Sequence, residues 1–287
     1  MEQMKLINYF QILLTSALWG SSFLMMKYAL EELDPFQISF YRIFIGMVFI
    51  NLLNIRKINI PLSQHKYLAL VGTLWMALPF FLFAKAEETI SSSLAGLING
   101  STPIFISLIA YLVFKENISN IQKTYLITGF LGIYLVSFGF NNFLLDLNLG
   151  AFLALLASIS YGFAANIVQP LIKKYGSLDT LKIALRYGAL FSFIALLPSS
   201  SLVLPTVEIS LFPMLLLGIG SSGIAFLSFY KLIDDVGAVA GSITVYIIPI
   251  FSVIFGYMFL NEYTSGIQMI GIFIVIISAY QFSKKRN

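Results

Sequence analysis

Arg42 and Arg186 each stand inside a long apolar stretch, where an ionisable side chain is costly and needs a role. Each can snorkel to an interface or pair with backbone carbonyls, fixing its helix as a structural element. Alternatively its planar fork can anchor an anion, holding a solute carboxylate through two parallel hydrogen bonds. Trp19, Ser22 and Met26 share one helical face, and Trp75 lies at similar depth in a later stretch. Tryptophans at a membrane interface form belts, but these two lie well inside their stretches and also suit a cavity wall. Asn99 lies four residues before Pro103, and Asn166 shares a stripe with Gly162 and Gln169. Buried amides need partners, so each is either glue between helices or a contact for a solute. For Asn99, beside a carbonyl that Pro103 would free, a solute or water is the expected partner. Tyr161, Ser222 and Tyr246 complete the expected substrate-binding set.

This is binding chemistry rather than bond-making chemistry. There is no cysteine, and the one histidine, His65, falls in a polar loop, so no metal site, cofactor or catalytic residue is expected. No Gly-Lys-Ser/Thr phosphate loop is present, so ATP drive is not encoded. Acidic residues fall at the ends of apolar stretches or in loops, among them Glu31, Glu32, Asp34, Glu87, Glu88, Asp234 and Asp235. A proton-driven pump would keep a carboxylate at membrane depth, so facilitated export or exchange is expected instead. Aromatic rings, hydroxyls and amides suit a neutral or zwitterionic solute with an apolar part.

The elements that would position these groups are ten apolar spans, at about 8–30, 36–54, 67–86, 91–114, 121–140, 149–172, 179–198, 211–233, 237–260 and 264–282. Each approaches the roughly 20 residues that cross about 30 Å of hydrocarbon. The chain is 59% hydrophobic and 10% charged with mean hydropathy +0.90, which sets it outside the soluble globular class. The first span is long and lacks a small-x-small cleavage site, so it reads as a retained helix rather than a signal peptide. The chain's net charge of +4 does not point to nucleic acid, because the charges collect in alternate loops. Lys5, Arg56, Lys57, Lys66, Lys115, Lys123, Lys173, Lys174, Lys182, Lys231, Lys284, Lys285 and Arg286 fall on one side if both termini are cytoplasmic. Only Lys27 and Lys85 fall on the other, which is the positive-inside pattern of a cell-membrane protein.

The second half repeats the first at an offset of 146 residues (249 − 103). Pro103-Ile104-Phe105 matches Pro249-Ile250-Phe251, and Gly72, Phe80, Phe83, Lys85, Glu116 and Gln122 match Gly218, Phe226, Phe229, Lys231, Glu262 and Gln268. Five spans per unit is an odd number, so the second copy must be inverted in the membrane, as in secondary transporters. The paired Pro103 and Pro249 are expected to kink equivalent helices and act as hinges, while Pro79 bends a third helix alone. Gly96 and Gly100, like Gly237 and Gly241, have the G-x-x-x-G spacing of helix contacts, and Glu116 and Glu262 are placed to cap the helix that follows each.

Trp19-Gly20-Ser21-Ser22-Phe23 followed by Lys27, Arg42, Arg186, Ser93-Leu94-Ala95-Gly96 with Pro103 and Glu116, and Gly237-Ala238 with Ser242-Ile243-Thr244-Val245-Tyr246, Pro249 and Glu262 resemble the EamA-type branch of the drug/metabolite transporter superfamily. The resemblance covers the chain as two EamA domains, residues 1–143 (helices 1–5) and 144–287 (helices 6–10). It implies an all-α integral membrane protein with ten transmembrane helices in two inverted five-helix repeats. Helices 1, 3, 4, 6, 8 and 9 would enclose a cavity, with helices 5 and 10 at the periphery. The implied function is secondary transport of a small organic solute, an amino acid or other metabolite, by alternating access, with export or exchange across the cytoplasmic membrane. The implied partners are that solute and membrane lipid, in a monomer or weak homodimer. A polytopic membrane enzyme or a channel-like facilitator is the alternative; the first lacks a catalytic constellation, the second a charged ring or pore loop.

Overall fold

A computed structural model describes residues 5–53, 59–115, 119–138, 149–198, 204–206, 208–241 and 243–284. Arg56, Lys57, Glu116, the 117–118 and 141–142 turns, Ser242, Lys285 and Arg286 lie outside these residues, and nothing structural is assigned to the side chains of Gly237-Ala238.

The regular structure among the described residues is all helix, with no strand. In chain order the helices are α1 (Leu6–Ala29), α2 (Pro35–Leu53), α3 (Leu62–Glu87), α4 (Ser92–Leu112), α5 (Asn120–Phe138), α6 (Leu149–Tyr175), α7 (Ser177–Leu196), α8 (Leu211–Asp235), α9 (Ile243–Leu260) and α10 (Gly266–Lys284). Six of them, α1 to α4, α6 and α8, are long and apolar enough to cross a membrane. Helices pair most of their backbone groups internally, the condition for crossing hydrocarbon.

Sequence at the ends explains the starts and stops. Asp34 Oδ1 accepts from the Phe36 and Gln37 amides at 2.8 and 3.0 Å, and Gln37 Oε1 accepts from the Asp34 amide, closing a capping box around Pro35. A second such box, Ser119 with Gln122, opens α5, and a third, Ser265 with Gln268, opens α10. These two stand 146 residues apart (265 − 119). So do Lys115 and Asn261, the non-glycine residues with positive φ among the described residues, 58° and 53°, which end α4 and α9 in left-handed conformation.

Two helices carry a widened, π-helical stretch: Thr73–Ala77 in α3 and Leu216–Ile224 in α8. In each an amide reaches back five residues, Leu78 to the Thr73 carbonyl and Ala225 to the Gly220 carbonyl. Pro79 follows the first stretch after Leu78, where a wide turn relieves the clash of its ring with the preceding turn. The α4 helix is interrupted at Gly100-Ser101, in the turn between the Asn99 carbonyl and Pro103 that a proline disrupts, and Pro103 sits in the first turn of the second half, where its missing amide costs little. The α9 helix remains helical through Pro249.

Packing pairs α1 with α9 and α4 with α6, α3 with α6 and α1 with α8, α3 with α7 and α2 with α8, α2 with α7, and α5 with α10. Close approach at two of these contacts needs glycine. A Cβ on Gly72 would lie 2.7 Å from the Gly188 amide of α7, and one on Gly218 would lie 2.5 Å from Ile45 Cβ of α2. Contacts also define two ends. Asn8 meets Asp235 at one, here the terminal end. At the opposite end Lys27 meets the Glu87 carbonyl, and Gly150 of α6 abuts the Ala86 carbonyl.

Candidate functional site

A cavity of about 350 Å³ lies among α1, α3, α4, α6, α8 and α9, with one residue from α2. Its floor is aromatic. Trp19 faces Phe226 and Phe229 at centroid distances of 5.2 and 4.9 Å, and Trp75 faces the same rings from the other side at 6.0 and 6.4 Å. The π-helical stretches hold this box in place. Trp19 Nε1 donates to the Ser221 carbonyl at 3.1 Å, and Ser160 of α6 donates to the Leu74 carbonyl at 2.7 Å. A widened turn presents carbonyls that a regular helix would consume internally, so both bulges become cross-helix anchors.

Polar groups are sparse. Asn166 donates from Nδ2 to the Ile106 and Gly162 carbonyls at 3.1 and 2.9 Å, so it both ties α6 to α4 and faces the cavity. Asn99 Oδ1 accepts from Thr102 Oγ1 at 3.4 Å across the break in α4. Ser22 donates to the Trp19 carbonyl, and Tyr161 stacks on Phe83. Arg42 is the ionised side chain among the described lining residues. Arg42 is only 2% exposed, its guanidinium carbon lies over the Phe80 ring, and its Nε donates to Ser222 Oγ at 3.3 Å. Arg42 therefore does not snorkel. Arg186 does lie exposed, and its Nη2 donates to Asn51 Oδ1 at 2.6 Å, joining α7 to α2 away from the cavity.

Trp19, Ser22, Trp75, Asn99, Tyr161 and Asn166 thus come together around one cavity, and Pro103 with them. Ser222 and Tyr246 do not line it: Ser222 is fully buried behind Arg42, and Tyr246 packs in the apolar core. Pro79 and Pro249 also stay off the wall, although the Pro249 ring lies against Gly100 at the α4 break. Phe80, Phe83, Phe226 and Phe229 were passed over as lining residues, yet they are the aromatic pairs that recur between the two halves. That recurrence was the signal for them. The cavity is closed toward the opposite end, where Met26 and Phe83 are 1% and 2% exposed, while Gln169 toward the terminal end is exposed.

Two acidic residues depart from expectation. Glu262 does not cap α10; its carboxylate accepts four hydrogen bonds at the start of α4, from the amides and hydroxyls of Ser92 and Ser93 at 2.6–2.9 Å. Glu87 is not a solvated helix end but is fully buried, and neither carboxyl oxygen has a hydrogen-bond partner among the described residues.

The sequence profile of the EamA-like transporter family matches twice, over residues 6–138 and 148–283. Among curated proteins, the uncharacterized transporter YdfC of Bacillus subtilis (strain 168) is 24% identical over 88% of this chain and 83% of its own. The uncharacterized transporter YoaV of the same organism is 24% identical over 96% of this chain and 97% of its own. A crystal structure of a protein with 17% identity superposes with a TM-score of 0.67, covering 96% of this chain and 94% of that one, a likeness of fold.

Proposed function

The chain belongs to the EamA-like transporter family and is a membrane transporter by that membership, and we propose that it carries a small organic carboxylate, an amino acid or similar metabolite, by alternating access. The observation that carries this reading is Arg42, a buried guanidinium in the wall of an otherwise uncharged aromatic cavity. A fixed cation in a low-dielectric wall favours an anionic group, and the arginine fork matches a carboxylate. The Trp19, Trp75 and Phe229 faces can take an ammonium or an apolar side chain. A volume of about 350 Å³ lies at the small end of the roughly 300–1,000 Å³ range for ligand sites.

In this reading all ten helices span the membrane as two inverted repeats, 1–143 and 144–287. Support comes from the left-handed residues 115 and 261, the capping boxes of α5 and α10, the π-helical stretches of α3 and α8, and the reciprocal helix pairings. Both termini are cytoplasmic, the membrane is the cell membrane, and the cavity opens inward. Pro79, Pro103 and Pro249 serve as bending points between the states.

The test is thermal stabilisation of the purified protein by a panel of amino acids and organic acids, each paired with its decarboxylated analogue, followed by counterflow in liposomes. Stabilisation by the acids alone and accelerated exchange are expected. Equal stabilisation by the decarboxylated analogues would remove the role given to Arg42, and flux without counterflow would indicate a channel.

A further inference from the structure

Glu87 ends α3 just beyond the closed side of the cavity. It is 0% exposed, and neither Oε1 nor Oε2 has a hydrogen-bond partner among the described residues. The nearby lysine does not serve it. Lys27 Nζ instead donates to the backbone carbonyls of Glu87 and Ile90, at 2.5 and 3.1 Å, and no cation reaches the carboxyl within ion-pairing distance among the described residues. The charged groups that act on it are Lys27 of α1, Glu262 beyond α9 and Arg42 of α2; α4 and α6 add none. Glu262 is itself engaged with Ser92 and Ser93 and adds a second negative charge nearby.

We propose that Glu87 is a proton-binding site whose protonation is required for the opposite end of the transporter to close. A carboxylate sealed without a donor is among the most expensive groups a protein can bury, whereas the neutral acid removes the charge. Closure therefore takes up one proton from water onto a carboxylate oxygen, and opening returns it. The closed conformation binds the proton more tightly than the open one, so proton activity shifts the balance between them. The inference rests on the alternating-access reading and adds a coupled ion to it. Closure by Met26 and Phe83, the buried acid behind them and the Glu262 clamp on α4 all lie at the same end.

Two measurements test it. In the unmodified protein, a hydrophobic carbodiimide adds across the acid proton and carboxyl of a protonated buried glutamate, leaving an N-acylurea that contains every atom of both reactants. Peptide mass spectrometry should find this adduct on Glu87, and its yield should fall as pH rises from about 5 to 9. Separately, Met26→Cys in this cysteine-free chain is labelled in intact cells with an impermeant maleimide. Labelling should speed up as external pH rises, should stay slow at every pH with Glu87→Gln, and should keep its pH response with Glu87→Asp. If Met26→Cys responds to pH identically with Glu87→Gln, or if Glu87 is never modified, the assignment to Glu87 fails while alternation stands. If Glu87 is modified as expected but Met26→Cys is unreactive at every pH, the coupling fails together with the alternating-access reading.

Discussion

The Arg42 guanidinium carbon lies 3.6 Å from the centre of the Phe80 ring, a stacked cation on the cavity wall. The Phe80 ring covers the guanidinium on one side and Ser222 accepts from its Nε, which together hold the charge at the cavity wall. Stacking of a desolvated cation on an aromatic ring contributes about 2 kcal/mol.

Arg42→Lys keeps the charge but loses the flat fork and the stacking. It should weaken binding of a stabilising carboxylate roughly tenfold to a hundredfold, the equivalent of about 1.5–3 kcal/mol for hydrogen bonds to a charged group. Phe80→Leu should give a smaller loss. Affinities from ligand-induced shifts in melting temperature measure both, and an Arg42→Lys protein with unchanged affinity would move the anion site elsewhere.

Glu262 supplies a pH dependence with a definite sign. Burial pushes its carboxyl up, but hydrogen bonds from Ser93 and Ser92 outweigh burial and hold it below its ordinary value of 4.5. The folded state therefore binds this proton less tightly than the unfolded chain. The stabilisation is complete above 4.5 and is lost as pH falls through the lower, folded value. Glu262→Gln should cost about 1–3 kcal/mol at neutral pH and flatten the acid limb of a melting-temperature profile in detergent. A profile identical to that of the wild type would mean that the clamp on α4 contributes nothing.

How far the sequence disclosed this site depends on the kind of signal. Trp19, Trp75, Asn99 and Asn166 stood out because polar or bulky groups at membrane depth are rare, and the cavity gathers them. The four phenylalanines did not stand out in a chain with 27 of them; only their recurrence between halves marks them. Ser222 was placed by its depth in an inner helix, and depth alone does not tell which side of the π-helical stretch Leu216–Ile224 faces the cavity. Glu87 looked solvated because it closes a helix, but Lys27 of α1 and Gly150 of α6 pack at that end, and it is fully buried. Spacing along one chain cannot reveal which neighbouring segment covers a terminus.

Gly96 shows what the G-x-x-x-G spacing does here. Both Gly96 and Gly100 face α9 within the same chain: a Cβ on Gly96 would strike Ser252, and one on Gly100 would lie 2.5 Å from Pro249 Cγ. Gly96→Ala should destabilise the protein by about 1–3 kcal/mol through overpacking. Adding Ser252→Gly should restore most of the loss, because it removes the atoms that clash. Melting temperatures of the single and double variants give the answer, and a Gly96→Ala protein as stable as the parent would show that α4 and α9 can separate freely.

The prolines should not behave alike. Pro103 occupies a first helical turn, where an amide has no partner to lose, so Pro103→Ala should leave stability within about 0.5 kcal/mol. Pro249 lies inside α9 with its ring on Gly100, so Pro249→Ala both restores a helical hydrogen bond and empties that contact. Its effect on the ratio of open to closed conformations should exceed that of Pro103→Ala, read as maleimide reactivity of Met26→Cys. Equal effects would argue against a bending point in α9 alone.

The two ends of the bundle must face different compartments if the chain alternates. Lys66 is exposed near the start of α3, whose far end meets Lys27, so it belongs to the terminal end. Glu208 is exposed before α8, where Glu32 accepts from the Thr206 amide at 3.0 Å and from Ser210, so it belongs to the opposite end. Those bonds hold the Glu32 carboxyl below its ordinary range, so the clasp persists at neutral pH. The lysine-rich terminal end should be cytoplasmic, since positive charge resists translocation. An impermeant maleimide applied to intact cells should label Glu208→Cys strongly, and Lys66→Cys only after the cells are opened. Labelling of Lys66→Cys in intact cells with Glu208→Cys protected would turn the molecule over in the membrane and place the Glu87 end inside.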